Sequence, residues 1–180
     1  MASGAKNAGS SPAGDNSRVK VEGKRKKLKN MNIAVVGGHK CSKEIYKIAE
    51  EVGNLIAKQG WVLVCGGGPG VMEAACKGAK KQGGVTVGIL PSSDGREANK
   101  YLDVKIPTGL GYARNILVVR AADAIIAIDG EYGTLSEIAF AFNEEKPIVG
   151  IDTWEVTGIK QVKNSQEAIN YIKGKVKNAE

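Results

Sequence analysis

Ala124-Ile125-Ile126-Ala127-Ile128-Asp129-Gly130-Glu131-Tyr132-Gly133-Thr134-Leu135-Ser136-Glu137 decides the fold. Residues 124–128 are apolar without alternation, which predicts a strand buried on both faces, and residues 133–143 follow as an apolar-periodic helix. The turn between them suits an anion. A helix start offers unpaired backbone N–H groups and the positive end of the dipole, Gly130 and Gly133 admit close approach, and Thr134 can donate or cap. Glu131 and Tyr132 sit within the turn, and Glu137 lies one turn into the helix, beside whatever is bound.

The same strand, glycine turn and helix recur upstream. A continuous apolar strand over 31–36 leads into Gly37-Gly38. Ser42 can cap a helix carrying Ile45, Ile48, Ala49, Val52, Leu55 and Ile56, which Gly60 ends. A strand over 61–65 leads into Gly66-Gly67-Gly68-Pro69-Gly70 and a helix over 70–81. Further strands are predicted over 85–90, 103–106 and 147–151, and further helices over 111–122 and 165–176. Buried strands alternating with helices predict an α/β domain: a doubly wound, mostly parallel Rossmann-like sheet with helices on both faces. Ligands of such sheets collect beyond the C-terminal ends of the strands. The glycine turns fall there, with Pro91 and with Gly109 after Thr108. Residues 91–100 are polar and form the longest break in the pattern, a candidate lid or ligand loop.

A chain of 180 residues fits one domain of 29–180 behind a tail of 1–28. Residues 1–30 carry eight Lys and Arg against Asp15 and Glu22, or +6 of the net +7, so the folded part is nearly neutral. Residues 2–17, rich in Ser, Gly, Ala and Asn, read as a disordered leader or an expression remnant. The basic run 24–29 reads as a solvated tail, and 5% aromatic content argues against a base-stacking surface, so nucleic acid is not the expected partner. Cys41, Cys65 and Cys76 make no CxxC pair and suit reduced thiols, hence the cytoplasm. No apolar run reaches the ~18 residues of a membrane span.

Several functions are disfavoured by what is missing. Gly37-Gly38 lacks the third glycine of a dinucleotide fingerprint, and Cys65 stands where that motif places an acid. No Gly-Lys-Ser/Thr follows a glycine loop, and the serines have no histidine partner, since His39, in the first glycine turn, is the only one. Metal-ligand spacing is absent. Arg114, near the start of the helix over 111–122, and Glu137 both fall at the C-terminal edge of adjacent strands, so a charge pair flanking one bound phosphosugar is the sharper reading. The blander one is a surface ion pair and a dipole-favoured carboxylate. Met72 and Glu73 can line the same pocket, whereas Arg120 and Asp123 read as structural.

The runs Gly66-Gly67-Gly68-Pro69-Gly70-Val71-Met72-Glu73-Ala74-Ala75, Gly88-Ile89-Leu90-Pro91, Arg114 and Gly130-Glu131-Tyr132-Gly133-Thr134-Leu135-Ser136-Glu137 together resemble the molybdenum cofactor carrier branch of the Lonely Guy superfamily. The resemblance covers about 31–175. It implies a Rossmann-like nucleotide-binding fold assembled into homodimers or homotetramers. The enzymes of that superfamily cleave the N-glycosidic bond of nucleoside 5′-monophosphates, with the signature P-G-G-x-G-T-x-x-E and an upstream Arg-Lys pair. Here Asp129 stands at the proline, Glu131 at the second glycine and Asn115 after Arg114, while Arg114, Gly130, Gly133, Thr134 and Glu137 match; Glu73 replaces the glycine of the enzymes' G-L-M-G.

The expected function is therefore binding of a phosphate-bearing nucleotide or pterin, such as an AMP-like nucleotide or the molybdenum cofactor, with no cofactor required. The site expected from the sequence comprises Gly37, Gly38, Gly67, Gly68, Gly70, Met72, Glu73, Pro91, Gly109, Arg114, Gly130, Glu131, Tyr132, Gly133, Thr134 and Glu137. The alternative is a phosphoribohydrolase in which Arg114 and Glu137 are catalytic.

Overall fold

The computed structural model describes residues 31–177; the tail expected over 1–28 lies outside them. In chain order the elements are β1 (Asn32–Gly37), α1 (Lys43–Lys58), β2 (Val62–Cys65), α2 (Val71–Lys81), β3 (Thr86–Leu90), β4 (Val104–Pro107), a 3₁₀ turn (Gly111–Arg114), α3 (Asn115–Arg120), β5 (Ala124–Ile128), α4 (Tyr132–Asn143), β6 (Ile148–Ile151), β7 (Lys160–Val162) and α5 (Ser165–Lys177). All strand pairs are parallel, in the order β4-β3-β2-β1-β5-β6-β7. This is the doubly wound sheet that the uninterrupted apolar strands predict.

Each central strand serves two cores, because successive side chains leave opposite faces. Ile33 and Val35 of β1 join Ile126 and Ile128 of β5 under α1, α2 and α5. Ala34 and Val36 join Ile125 and Ala127 under α3 and α4. Ile126 is fully buried, so Ile126→Ala would cost about 2–5 kcal/mol. On the first face α1 and α2 touch backbone to backbone. A Cβ at Gly53 would overlap the Ala75 carbonyl, and one at Gly78 the Glu50 carbonyl. Ser42 caps α1 as expected, accepting the Ile45 N–H at 3.2 Å.

Two features differ from the sequence reading. β7 was not expected, because Lys-Gln-Val is short and polar and sits at the sheet edge, where only its backbone is needed. The helix expected over 111–122 is split: Gly111–Arg114 is a 3₁₀ turn that starts from a left-handed Gly111 (φ 54°), and only Asn115–Arg120 is α-helical. The expected structural residues pair accordingly. Arg120 bonds Glu144, just past the end of α4, at 2.9 and 2.8 Å, and Asp123 accepts the Asn32 N–H at 2.8 Å.

The winding positions the site. From β1 the chain steps outward to β4, then returns to the other side of β1 as β5. The connections leaving β1 and β5 therefore diverge beyond Gly37 and Ile128, which lie side by side in the register. A crevice opens at such a switch point.

Candidate functional site

A cavity of about 410 Å³ occupies this crevice. Gly37, Gly38 and His39 enter it from the end of β1, and Met72 from the first turn of α2. Tyr112, Arg114 and Asn115 enter from the 3₁₀ turn and the start of α3. Opposite them stand Glu131 and the first turns of α4, with Tyr132, Gly133, Thr134, Ser136 and Glu137.

The start of α4 is shaped for an anion. Asp129 (φ 51°) and Gly130 (φ 106°) both take left-handed backbone and turn the chain sharply from β5 into the helix. A Cβ at Gly130 would run into the Thr134 side chain, so this glycine serves the turn. Gly133 is different: nothing lies within 4 Å of where its Cβ would be. Glu131 precedes the helix without a side-chain cap, so the first N–H groups of α4 have no side-chain acceptor from that residue. Its carbonyl is engaged by the Leu135 N–H at 3.0 Å and by the Trp154 Nε1–H at 3.2 Å.

Arg114 and Glu137 meet at the floor, both nearly buried. Arg114 Nη2 donates to the Gly66 carbonyl at 3.2 Å, and Nη1 to Asn115 Oδ1 at 2.9 Å. Nη1 lies 3.6 Å from Glu137 Oε1, an ion-pair distance too long for a good hydrogen bond. Arg114 Nε is buried with no partner at all. A buried charged donor without an acceptor is costly. Burial pushes the Glu137 carboxyl up to about 8, against the downward pull of Arg114, so it is largely protonated at pH 7. Burial also draws the Arg114 guanidinium below its usual range, although an arginine that starts so high stays charged.

Asn115 braces this pair, and sequence reading did not single it out as a site residue. Besides accepting from Arg114, it donates through Nδ2 to Ser136 Oγ at 2.9 Å and to the Gly133 carbonyl at 3.4 Å. Ser136 in turn donates to the Gly133 carbonyl at 2.7 Å. The guanidinium is thus tied to the first turn of α4.

The second glycine turn is filled by protein. Gly66, Gly67 and Gly68 are buried. Asn99 grips them, its Nδ2 donating to the carbonyls of Gly67 and Gly68 at 3.1 Å and its backbone N–H to Gly67 at 2.8 Å. The Val71 N–H at the start of α2 is taken by the Gly38 carbonyl at 3.0 Å. A Cβ at Gly70 (φ 69°) would strike the carbonyls of Gly38 and His39. Gly67, Gly68 and Gly70 do not line the cavity, nor do Glu73, Pro91, Gly109 or Gly130. Pro91 and Gly109 belong to two paired loops, in which Gly111 N–H bonds the Pro91 carbonyl and Gly109 N–H that of Ser92. Gly37, Gly38, Met72, Arg114, Glu131, Tyr132, Gly133, Thr134 and Glu137 are brought together.

Residues 30–179 match the sequence profile of the SLOG cluster4 family. The chain belongs to the SLOG cluster4 family. A molybdenum cofactor binding protein from Rippkaea orientalis superposes with a TM-score of 0.74 at 34% identity, covering 81% of this chain and 95% of that one. The molybdenum cofactor carrier protein of Chlamydomonas reinhardtii gives a TM-score of 0.75 at 32% identity over 83% and 99% of the two chains. A cytokinin riboside 5′-monophosphate phosphoribohydrolase of Mycobacterium tuberculosis is 38% identical over 120 residues, 62% of this chain and 64% of the enzyme. The match therefore spans under two-thirds of that enzyme.

Within this SLOG cluster4 chain, the residues missed by sequence reading have recognisable reasons. Asn115 and Ser136 are short polar side chains inside helices, ordinary until their partners are known. Tyr112 falls in a turn expected to be regular helix. Cys65 and Cys76, expected as reduced thiols, are both buried, with sulfurs 3.5 Å apart. Among the described residues no cluster of three or more His, Cys, Asp or Glu could hold a metal ion, and no helix is long and apolar enough to cross a membrane.

Proposed function

We propose that this chain binds a phosphate-bearing nucleotide or pterin in the β1/β5 cavity, as a carrier rather than a hydrolase, and does so in the cytoplasm as a homodimer or larger assembly. The observation that carries the reading is the cavity whose floor holds Arg114 and Glu137 and whose opposite wall is the open start of α4 at Gly133 and Thr134. Phosphate oxygens would meet the first N–H groups of α4 beside Gly133 and Thr134, and a ligand oxygen or ring nitrogen would meet Arg114. Such a site fits the phosphate and polar edge of a pterin cofactor as well as those of AMP. The solved carrier proteins supply the analogy for the pterin.

The departures from the enzymes' signature, Asp129 at the proline, Glu131 at the second glycine and Asn115 after Arg114, favour carriage over turnover. Hydrolysis of a nucleoside 5′-monophosphate breaks the bond between C1′ and the base nitrogen and adds water at C1′. Its positive sugar-like transition state wants a carboxylate, or a base to activate the water. Burial raises the Glu137 carboxyl to about 8, and its neutral form can donate a hydrogen bond to a ligand oxygen or a proton to a departing base. The second reading, phosphoribohydrolysis, draws on the mycobacterial relative and on the survival of Arg114 and Glu137. Incubation with a panel of nucleoside monophosphates separates the two. The carrier reading expects binding without free base; released base that disappears in Glu137→Gln and Arg114→Ala overturns it.

Assembly is supported by apolar surface on the α3/α4 side. Ile116, Leu117, Phe140 and Phe142 stay partly exposed there while Val118, Val119 and Ile138 fill the core. Light scattering at micromolar concentration tests it, with a monomer mass as the contrary result.

A further inference from the structure

We infer that Thr153 and Trp154, in the loop between β6 and β7, are positioning residues for anion binding: they hold the turn from β5 into α4 by its carbonyls and so fix where its N–H groups point. The inference rests on the proposed phosphate site and adds the residues that set its geometry. The turn is not held by its own preference. Asp129 and Gly130 are left-handed in succession, at φ 51° and 106°, and such a backbone persists at a non-glycine residue where the surroundings impose it. Those surroundings come from one loop. Thr153 Oγ1 donates to the Asp129 carbonyl at 2.6 Å, and Trp154 Nε1 donates to the Glu131 carbonyl at 3.2 Å.

In a planar trans peptide the N–H points opposite to the carbonyl it is joined to. Two carbonyls drawn to the loop therefore turn the N–H groups of Gly130 and Tyr132 away from it. Among the described residues the Gly130 N–H has no backbone partner, and the N–H groups of Gly133 and Thr134 find no acceptor in the turn before them. The loop takes the acceptors of the turn and leaves its donors to an anion. Gln161 of β7 fixes the loop in its turn, with Nε2 donating to the carbonyls of Thr153 and Trp154 at 3.3 and 3.0 Å. Gly150 of β6 makes room for this contact, since a Cβ there would run into the Thr153 methyl and the Gln161 amide oxygen. The short polar edge strand β7 thus reaches the site through Gln161, Thr153 and Trp154.

Calorimetric titration of AMP and a thermal melt on Thr153→Val, Thr153→Ser and Trp154→Phe test this. Thr153→Val keeps the shape and removes the donor; Trp154→Phe keeps a ring beside Tyr132 and removes the Nε1–H. Each should lose about three- to tenfold in AMP affinity, the effect of one hydrogen bond, with a Tm within a few degrees of the wild type. Thr153→Ser retains the hydroxyl and should bind within about twofold of the wild type. The Gly130 amide resonance, read without ligand, should move in Thr153→Val and return in Thr153→Ser. Affinity unchanged in both Thr153→Val and Trp154→Phe overturns the inference and leaves the phosphate site standing, as does a loss that Thr153→Ser shares in full. A wild type that binds no AMP overturns the phosphate site and the inference together. Should Thr153→Val fail to fold, Trp154→Phe decides by the same measure.

Discussion

Two glycine turns in this molecule look alike in sequence and do opposite things. The turn after β2 (66–70) and the turn after β5 (129–133) each join a buried strand to a helix. In the first the close approach is made by protein: Asn99, the Arg114 guanidinium and the carbonyls of Gly38 and His39 occupy the space, and the first N–H of α2 is already bonded. In the second, Gly130 serves the bend, and Gly133 faces open cavity. Glycine marks a place where something comes near the backbone. Whether that is a ligand or another part of the chain depends on what the fold brings there.

Substitution at matched positions should break the symmetry most visibly. Gly70→Val forces a side chain into the backbone of residues 38 and 39 at a left-handed φ, and should destabilise by about 3 kcal/mol or more, visible as a large fall in Tm or as insoluble protein. Gly133→Val should fold with a Tm within a few degrees of the wild type. A Gly70 variant as stable as the wild type would remove the distinction between the turns.

Arg114 links the two turns, since it donates to Gly66 and faces the α4 wall. Arg114→Ala should therefore lose both stability and ligand affinity, the latter by about 2–3 kcal/mol as the charge-assisted bonds go. Calorimetry and thermal melts on one preparation check this. Asn115→Ala, which leaves the guanidinium in place but cuts its brace to Ser136 and Gly133, should cost about 1 kcal/mol in affinity. Affinity unchanged in Asn115→Ala would mean that Arg114 is held by Gly66 and Glu137 alone.

Glu137 makes the β5 turn sensitive to pH. Its carboxyl is raised in the folded chain from near 4.5 to about 8, so the unfolded chain gives up that proton first. The stabilising neutral form is fully present below about 4.5, and stability falls as pH rises toward and through about 8. Glu137→Gln should accordingly raise Tm at pH 8.5 by about 3 °C or more, with the gain shrinking toward pH 5. A phosphate-bearing ligand should also bind the wild type more weakly at pH 9 than at pH 7. The phosphate itself is already close to fully ionised across that range, with its second pKa near ~6, so the change reports on Glu137. A gain from Glu137→Gln that does not vary with pH would contradict the assignment. The smallest effect is expected far from both turns: removing residues 1–28 should leave Tm and small-ligand affinity unchanged, and a large loss in either would bring the tail into the site.

The strands were legible because burial on both faces leaves runs such as Ile33 to Val36 and Ala124 to Ile128 without a polar residue. The helices between them were legible from their spacing and from Ser42 and Gly60 at the ends of α1. β7 was not, since an edge strand needs only backbone partners and Lys160 to Val162 carry no apolar signature. The cavity's place beyond the C-terminal ends of the strands was legible from the alternation; which strands flank it, β1 and β5, was not. Nor was its composition. That Gly67, Gly68, Gly70, Glu73, Pro91, Gly109 and Gly130 stand outside the lining, and that Tyr112, Asn115 and Ser136 stand inside, depends on contacts between residues 18 to 48 positions apart. Local patterns do not encode such contacts. The family resemblance, resting on whole motifs, survived because it did not depend on which glycine touches what.

The most direct test of the account is calorimetric titration of AMP into wild-type protein and into Gly133→Val, with a thermal melt of each. The β-branched side chain would fill the open space above the first turn of α4 without disturbing the core. The account predicts binding by the wild type and a loss of about 100-fold or more in a variant that melts normally. Undiminished binding by the folded variant would contradict it.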